Sequence, residues 1–379
     1  MLVIIGSGHA GYSLAREWRK KDTETPLTII TRDDGAGYYK PELSKAFAAG
    51  KDADGLVKAD VGAMAQELDA RILTHTEVLS IEPDSHEVRV EGESIPYTRL
   101  VLATGARPIR LALEGEAADS ALSVNNRQDY AGFRERLRPG GRVLIMGAGL
   151  IGCEFANDLA AAGYGVSVVD VADWPLSRFV PEVSGRALQE ALGGIGVQWH
   201  LGTSVQRLEH GDDGRVVATL ADGQRVEADV VLSAVGLRPD VELARSAGLR
   251  CAAGILVDER MQTSAEDVYA LGDCVEIGGR PLPFILPIMH AARALGATLA
   301  GDATPVRFPP MPTPVKTPVC PTVVCPPATE DGSWVVEGEA PDLEAVFVDD
   351  QGRPAGFALT GKATARRSAM VSRLAAETL

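Results

Sequence analysis

A repeated motif limits the folds open to this sequence more than any other feature. Residues 2–11 have the sequence LVIIGSGHAG, and residues 143–152 have the sequence VLIMGAGLIG. Each copy joins an apolar strand to a helical pattern through GxGxxG, the context in which this fingerprint binds a dinucleotide. Further along, VLATGARP at 101–108 resembles VLSAVGLRP at 231–239. The repeat therefore predicts two related nucleotide-binding units.

The glycines of the fingerprint have distinct physical tasks. Gly6 allows the tight turn, Gly8 lets the backbone approach a pyrophosphate, and Gly11 lets the helix pack closely on the strand. The N–H groups at the start of that helix, together with its dipole, favour a bound phosphate. The second copy places Gly147, Gly149 and Gly152 at the same three positions.

An acidic residue about 20 residues beyond the fingerprint ordinarily binds a ribose hydroxyl. In the second copy, Asp170 ends the strand predicted at 166–169. A carboxylate there bonds the ribose 2′-hydroxyl and repels a 2′-phosphate, which predicts a preference for NADH over NADPH. In the first copy this position is Thr31. We predict that Asp33 replaces the missing acid, with Arg32 beside it.

The chain has 379 residues, more than the roughly 250–300 that one hydrophobic core supports. Residues 308–327 are rich in proline and predict a linker or an extended crossover. Beyond them, apolar runs predict strands at 334–337, 345–348 and 355–359, and an amphipathic pattern predicts a helix from about 363 to 377. These elements predict a third, smaller unit.

The predicted fold class is α/β, with two Rossmann-like dinucleotide-binding domains of the three-layer ββα type and a small α+β C-terminal domain. The predicted domains are residues 1–109 with 237–310, residues 110–236, and residues 311–379.

Charge and cysteine content narrow the possible partners and the compartment. The net charge of −15 argues against nucleic acid, because phosphate neutralisation needs an excess of Lys and Arg. No apolar run reaches the ~18–20 residues that insertion into a membrane needs, and residues 2–5 are too short for a signal peptide core. Five cysteines without framework spacing predict a reducing, cytoplasmic environment.

A third motif follows residues 263–271, where a strand ends in Gly272 and Asp273. A helix is predicted to follow from about 288 to 299, and the positive end of its dipole could stabilise negative charge on a bound redox group.

Together these motifs resemble the glutathione-reductase-like pyridine nucleotide flavoproteins along the whole chain. The resemblance implies that the first fingerprint binds FAD and the second binds NADH. It also implies that Ala103, Thr104 and Gly105 close the FAD site and that Asp273 binds the ribityl chain of FAD.

A closer resemblance is to the oxygenase-coupled ferredoxin and rubredoxin reductases. Residues 39–45, YKPELSK, are similar to their R-P-x-L-S-K segment, with Lys40 where Arg is commoner, and LIGCE at 150–154 matches their L-I-G-x-E. In these relatives the residues equivalent to Lys45 and Glu154 lie together beside the flavin. The resemblance implies that this catalytic pair orients the nicotinamide and the N5 edge.

The segment PVKTPVCP at 314–321 most resembles the rubredoxin reductases, in which the residue at Lys316 approaches the flavin ring. Val78 matches a position whose backbone contacts the adenine. The complete expected FAD set is Gly6, Gly8, His9, Ala10, Gly11, Arg32, Asp33, Lys40, Pro41, Val78, Ala103, Thr104, Gly105, Gly272, Asp273, Leu286 and Lys316. The expected NADH set is Gly147, Gly149, Leu150, Ile151, Gly152, Asp170 and Gly236.

Missing cysteines separate this sequence from other flavoproteins of the same type. Residues 35–50 contain neither the C-x4-C of disulfide reductases nor the single redox cysteine of peroxidases and oxidases. Cys320 and Cys325 have C-x4-C spacing, but each precedes a proline, so we interpret them as packing thiols, with a redox pair as the alternative. No Cys/His cluster predicts a metal site.

The resemblance implies hydride transfer from NADH to FAD and then single-electron transfers to rubredoxin or a similar small iron carrier, feeding an alkane hydroxylase or a similar oxidase. A ferredoxin or a nitric-oxide flavorubredoxin as acceptor remains an alternative, and so does an NADH-sensing signalling flavoprotein. An NADH oxidase or peroxidase is disfavoured by the missing cysteine. We expect the carrier to dock on the basic C-terminal helix, where only Glu377 opposes the four cations Lys362, Arg366, Arg367 and Arg373, with Lys316 extending the surface towards the flavin.

Overall fold

The computed structural model describes residues 1–212, 214–327 and 329–374. The first unit is built on a parallel five-stranded sheet with Leu2–Ile5 at its centre. Every residue of that strand and of Leu27–Ile30 is buried, and all of them except Thr28 are apolar, as is typical of parallel strands covered on both faces. In spatial order the strands are Val268–Ala270, Arg99–Leu102, Leu2–Ile5, Leu27–Ile30 and Ala70–Leu73.

Helices and an antiparallel ribbon complete the core of the first unit. The helix His9–Arg19 packs against the long helix Ile285–Leu299, and Val61–Leu68 lies near both the sheet and the first helix. The ribbon adds buried apolar side chains to the same core and consists of Val78–Glu82, Glu87–Val90 and Glu93–Pro96. Within the described residues, no helix is both long enough and apolar enough to cross a bilayer.

The second unit repeats this plan with a parallel four-stranded sheet. Its strands, in spatial order, are Val197–Leu201, Gly165–Asp170, Arg142–Met146 and Val230–Ser233. Its helices are Arg127–Arg136, Leu150–Ala161 and Glu182–Gly194, and its antiparallel ribbon is Val205–His210, Val216–Leu220 and Arg225–Ala228. The two chain segments that pass between the units pair with each other as the antiparallel strands Ala106–Pro108 and Leu237–Pro239.

The third unit is a five-stranded antiparallel sheet followed by a short helical segment. In spatial order its strands are Thr313–Val315, Thr322–Cys325, Pro354–Thr360, Asp342–Asp349 and Gly332–Glu339. A 3-10 helix at Gly361–Arg366 then leads into the α-helix Arg367–Arg373. Val315, Cys320 and Val324 share one buried cluster with the second unit, so the third unit packs on the second.

Two predictions for the C-terminal region are wrong in part. The proline-rich segment 308–327 is not only a linker, because it contributes two strands to the sheet. Pro314 is tolerated because its strand lies at the sheet edge. The predicted helix begins as a 3-10 turn in which the Thr364 hydroxyl donates to the Gly361 carbonyl at 2.7 Å. Its predicted end at 377 lies outside the described residues.

The remaining elements are short. The 3-10 helix Lys40–Lys45 is the most important of them for the site described below, and it packs against Leu150–Ala161. The others are the strands Gly37–Tyr38, Val57–Ala59, Ile255–Leu256, Val275–Ile277 and Arg280–Pro281, the 3-10 helices Asp54–Leu56, Pro83–Ser85 and Ala118–Ser120, and the helix Glu242–Ser246.

Candidate cofactor and redox site

The first glycine turn has one open position between two closely packed ones. A Cβ atom on Gly6 would lie 2.2 Å from the Ala103 carbonyl oxygen, and one on Gly11 would lie 2.0 Å from the Gly6 carbonyl oxygen. Gly8, which caps the helix His9–Arg19, would place its Cβ in open space. The close contacts explain two of the glycines by packing alone, whereas Gly8 leaves room for a ligand at the helix N-terminus.

Asp33 is tied to the glycine turn through a small hydrogen-bond network. Its Oδ1 accepts from the Ser7 hydroxyl at 3.0 Å and from the Thr31 hydroxyl at 2.7 Å, and Ser7 also donates to Thr31 at 2.8 Å. Thr31 occupies the position of the missing acid, and its hydroxyl holds the carboxylate of Asp33 next to the glycine turn. Arg32 points elsewhere, because its guanidinium is exposed and lies 3.9 Å from Asp240.

Polar groups near the start of the first helix fit a bound FAD. The buried Nε2 of His9 has no hydrogen-bond partner, and Asp273 makes no hydrogen bond or ion pair within the described residues. Burial lowers the pKa of His9 and raises the pKa of Asp273, the latter against the opposing charges of Lys40 and His9. A Cβ on Gly272 would lie 2.7 Å from the Ala10 Cβ, so the Gly-Asp turn contacts the helix start. Unpartnered donors and acceptors beside an open glycine cradle are what a polar cofactor requires.

Lys40 also lies in this region and is held from the second unit. Its Nζ donates to Asn125 Oδ1 at 2.7 Å, and Asn125 Nδ2 donates to the Ala106 carbonyl at 2.8 Å. Burial lowers the pKa of Lys40, and the nearby carboxylates Asp273 and Asp129 oppose that shift. Asn125 has no motif around it that the sequence could have flagged.

The other expected FAD residues lie on several separate elements. The Ala103 amide donates to the Ile5 carbonyl at 2.8 Å, the Thr104 hydroxyl donates to the Asp240 carbonyl at 2.8 Å, and the Gly105 carbonyl accepts from the Asp240 amide at 2.9 Å. Pro41 and Leu286 lie in the first turns of Lys40–Lys45 and Ile285–Leu299, and Val78 begins the strand Val78–Glu82. The helix Ile285–Leu299 begins three residues earlier than its predicted start at 288.

The second glycine turn has the same design. Cβ atoms on Gly147 and Gly152 would lie 2.6 Å from the Ala234 carbonyl oxygen and 1.9 Å from the Gly147 carbonyl oxygen, whereas Gly149 is open. The Asp170 carboxylate accepts from the Ala148 amide inside the turn at 2.5 Å and from the Ala172 amide at 2.8 Å. The remaining residues of the expected NADH set are Leu150 and Ile151 in the first turn of the following helix and Gly236 at a φ of +118°.

Glu154 lies where the three units meet, and its carboxylate is almost fully buried. Its Oε2 accepts from the Ser44 hydroxyl at 2.5 Å and lies 2.5 Å from Lys316 Nζ, while its Oε1 accepts from the Lys316 amide at 3.0 Å. The bonded partners of Glu154 are thus Ser44 and Lys316, and the expected pairing of Lys45 with Glu154 beside the flavin stays a prediction. Lys45 is exposed, and its charge acts on Asp158 and Glu42. Ser44, the residue before Lys45, is the one whose hydroxyl reaches Glu154.

The cysteines behave as packing residues. All five are free thiols, and Cys153, Cys274, Cys320 and Cys325 are buried. Burial raises the pKa of Cys320, which disfavours the thiolate that redox chemistry requires.

The expected docking surface on the C-terminal helix is more neutral than the sequence predicts. Glu344, buried on a neighbouring strand, lies 2.8 Å from the Arg366 guanidinium and 3.4 Å from that of Arg373. Lys362 Nζ lies 3.9 Å from the Asp342 carboxylate. Of the four cations, Arg367 alone makes no ion pair within the described residues. Glu377, the acid that the sequence places opposite them, lies outside the described residues.

Comparison with known proteins gives this geometry its family context. Residues 1–296 match the family described as pyridine nucleotide-disulphide oxidoreductase, and residues 305–374 match the family described as rubredoxin binding C-terminal domain. The rubredoxin-NAD(+) reductase of Alcanivorax borkumensis is 44% identical over 363 residues, which cover 96% of this chain and 95% of that protein.

Two further relatives extend the comparison. The nitric oxide reductase FlRd-NAD(+) reductase of Aeromonas hydrophila is 42% identical over 312 residues, covering 82% of this chain and 79% of that protein. The crystal structure of a covalent putidaredoxin reductase–putidaredoxin complex is similar with a TM-score of 0.89 at 26% identity, covering 98% of this chain and 93% of that one. The α/β fold with a small C-terminal domain is thus confirmed, and the chain belongs to the pyridine nucleotide-disulphide oxidoreductase family, within the group of the rubredoxin-NAD(+) reductases.

Proposed function

We propose that this chain is an FAD-dependent NADH:rubredoxin oxidoreductase. The observation that carries this proposal is the contact between Lys316 and Glu154. Lys316 lies in the segment that matches a rubredoxin-binding domain, and Glu154 lies on the helix that follows the second glycine turn. A direct ion pair thus joins the carrier-binding segment to the nucleotide-binding unit.

FAD would be held at the first glycine turn by the N-terminus of the helix His9–Arg19, by Asp33 and by Asp273. When bound, FAD supplies a hydride acceptor that can release electrons one at a time. NADH would be held at the second turn, where the Asp170 carboxylate accepts from the ribose and repels a 2′-phosphate.

The residues of the chain bind and position rather than react. Glu154 fixes the ammonium of Lys316 on one side and the hydroxyl of Ser44 on the other, so the C-terminal unit and the 3-10 segment share one buried anchor. We propose that Lys45, exposed next to Ser44, reaches the bound nucleotide as the second residue of the expected catalytic pair. Positioning of this kind converts an encounter between two rings into an intramolecular step.

A second candidate acceptor follows from one observation. The nitric oxide reductase FlRd-NAD(+) reductases are nearly as similar in sequence as the rubredoxin-NAD(+) reductases, but over a smaller part of the chain. We propose rubredoxin as the first choice, because the match to the rubredoxin-binding domain covers the C-terminal unit. An alkane hydroxylase or a similar oxidase is the proposed downstream consumer. An NADH-sensing signalling role would be favoured only by slow turnover with every carrier.

The domain boundaries follow from the crossing strands. We propose residues 1–109 with 237–310 as the FAD domain, 110–236 as the NADH domain and 311–379 as the C-terminal domain, because Ala106–Pro108 and Leu237–Pro239 pair where the chain leaves and re-enters the first unit. We propose a cytoplasmic location, because free thiols such as Cys153 and Cys274 suit a reducing compartment.

Spectroscopy of the purified protein tests the proposal. The protein should bind FAD, its absorbance should bleach rapidly with NADH and slowly with NADPH, and the reduced protein should pass electrons to rubredoxin. Lack of bound flavin would contradict the assignment of the first glycine turn as the FAD site. Fast reduction by NADH with no electron transfer to rubredoxin would contradict only the assignment of rubredoxin as the acceptor.

A further inference from the structure

A second buried carboxylate lies one helical turn beyond Glu154 and has no part in the site described above. Asp158 is on the same helix and is 4% exposed. Its Oδ2 accepts from the Phe47 amide at 2.8 Å, and its Oδ1 accepts from the Ala48 amide at 3.2 Å. Asp158 therefore bonds the backbone just beyond the 3-10 helix Lys40–Lys45.

The segment 40–48 is fastened to this helix at two points. Ser44 donates to Glu154 near its middle, and the amides of Phe47 and Ala48 donate to Asp158 at its end. The Phe47 ring adds edge contacts to Tyr130 and Phe133, with centroid distances of 5.3 and 5.6 Å. Two acids one turn apart thus define how the segment lies on the helix.

A carboxylate suits this position because both of its oxygens only accept hydrogen bonds when it is ionised. An amide at the same place would turn an N–H group towards a backbone donor, and an apolar residue would leave buried amides unsatisfied. Burial raises the pKa of Asp158 to about 6, against the two backbone hydrogen bonds and the charge of Lys45. Besides Lys45, Tyr130 on the neighbouring helix faces it, and Glu154, which is itself paired with Lys316, lies one turn away on the same helix.

We propose that Asp158 is a positioning residue that anchors the segment 40–48 on the helix carrying Glu154, and so fixes Ser44 and Lys45 beside the site of hydride transfer. This inference rests on the proposed function, because that function makes the junction around Glu154 the redox site. Asp158 touches no reacting atom, and it acts through the two backbone amides that it accepts from.

The anchor depends on pH in a defined direction. Above the pKa, the ionised carboxylate accepts from both amides. Below it, one oxygen carries a proton and becomes a donor, so the hold on Ala48 or Phe47 weakens. The rate of reduction by NADH is therefore expected to fall as the pH falls through about 6, and a variant without the titrating group should lose that step.

The test compares Asp158→Asn with Leu192→Ala. Leu192 is fully buried in the same apolar cluster but lies on the helix Glu182–Gly194, and its side chain takes part in none of the hydrogen bonds that hold the segment 40–48. It controls for a general loss of stability. Both variants are purified with FAD, and hydrogen exchange of the peptide 43–50 is measured together with the rate constant of flavin bleaching by NADH from pH 5 to pH 8.

We expect Asp158→Asn to keep FAD, to lose exchange protection at the amides of Phe47 and Ala48, and to be reduced about tenfold more slowly at pH 7.5, with a flat pH profile. Leu192→Ala should melt at a lower temperature but keep the protection, the rate and the step near pH 6. If Asp158→Asn matched the unsubstituted protein in exchange and pH profile, the inference would be wrong. If the unsubstituted protein were not reduced by NADH at all, the proposed function itself would fail.

Discussion

The ammonium of Lys316 lies 2.5 Å from the Glu154 carboxylate, although the two residues are 162 positions apart in the chain. The side chain of Glu154 is 3% exposed and that of Lys316 is 27% exposed, so the pair is buried at its acidic end and reaches solvent at its basic end. This contact connects the C-terminal unit to the nucleotide-binding helix.

Breaking this pair from the basic side should destabilise the protein. Lys316→Met leaves a buried carboxylate with only Ser44 and one amide as partners, and we expect a loss of about 3 kcal/mol, near the lower end for a broken buried pair. Glu154→Gln combined with Lys316→Met should recover part of that loss. Denaturant unfolding of the two single variants and the double variant measures the coupling between the two side chains. Lys362→Met is a control that should change the free energy of unfolding by less than about 1 kcal/mol. Additive losses in the double variant would show that the two side chains do not interact.

Gly8→Ala should separate cofactor binding from folding. A methyl group at Gly8 meets no protein atom within 4 Å, so the fold should tolerate it. It would occupy the space that we assign to the FAD pyrophosphate, and we expect FAD affinity to fall by at least about tenfold. Gly193→Ala, also in open space but on a distant helix, is the matched control and should bind FAD normally. Equal FAD affinity in both variants would contradict the assignment of the first turn.

Asp170→Asn should narrow the preference for NADH. The asparagine keeps one oxygen, which can accept from the Ala148 amide, whereas its NH2 group faces the Ala172 amide, so a thermal melt of the variant checks that the turn remains intact. Removing the negative charge should let NADPH compete, and we expect the NADH-to-NADPH ratio of kcat/KM to fall by about tenfold or more, since like charges in contact cost several kcal/mol. Steady-state kinetics with both nucleotides measures the ratio. An unchanged ratio would mean that another residue selects the nucleotide.

Arg366 and Arg367 should differ in their effect on the carrier. Arg366 is paired with the buried Glu344, so Arg366→Ala should mainly lower stability. Arg367 makes no ion pair within the described residues, so Arg367→Ala should slow carrier reduction at low ionic strength and flatten its salt dependence. Stopped-flow mixing over a range of salt concentrations gives both quantities. If neither variant changed the rate or its salt dependence, the carrier would not dock on this helix.

The sequence predicts the parts of the fold that depend on local patterning. The strands at 27–30 and 216–220 have the predicted bounds, because apolar runs between turn signals determine them. The C-terminal unit is harder to predict, since Thr313–Val315 contains a proline and Thr322–Cys325 has a proline on either side, a pattern that is typical of a linker. Pro314 is compatible with a strand only because that strand lies at an edge, and edge position is a property of the sheet.

Only part of the candidate site can likewise be predicted from local sequence patterns. Motifs predict the glycine turns and Asp170, because the geometry of a tight turn depends on residues that are close together in the sequence. The roles of Ser44, Asn125 and Asp158 depend on contacts between residues 85 to 111 positions apart, which no local pattern encodes. The resemblance predicts Lys45 beside Glu154, and the structure adds Ser44, whose hydroxyl donates to the Glu154 carboxylate.

The central claim is that electrons pass from NADH through bound FAD to rubredoxin, and anaerobic stopped-flow mixing tests it most directly. The protein is mixed first with NADH or NADPH and then with oxidised rubredoxin or ferredoxin. The account predicts rapid bleaching of the flavin with NADH, slow bleaching with NADPH, and faster electron transfer to rubredoxin than to ferredoxin. Rapid bleaching followed by no transfer to rubredoxin would contradict it.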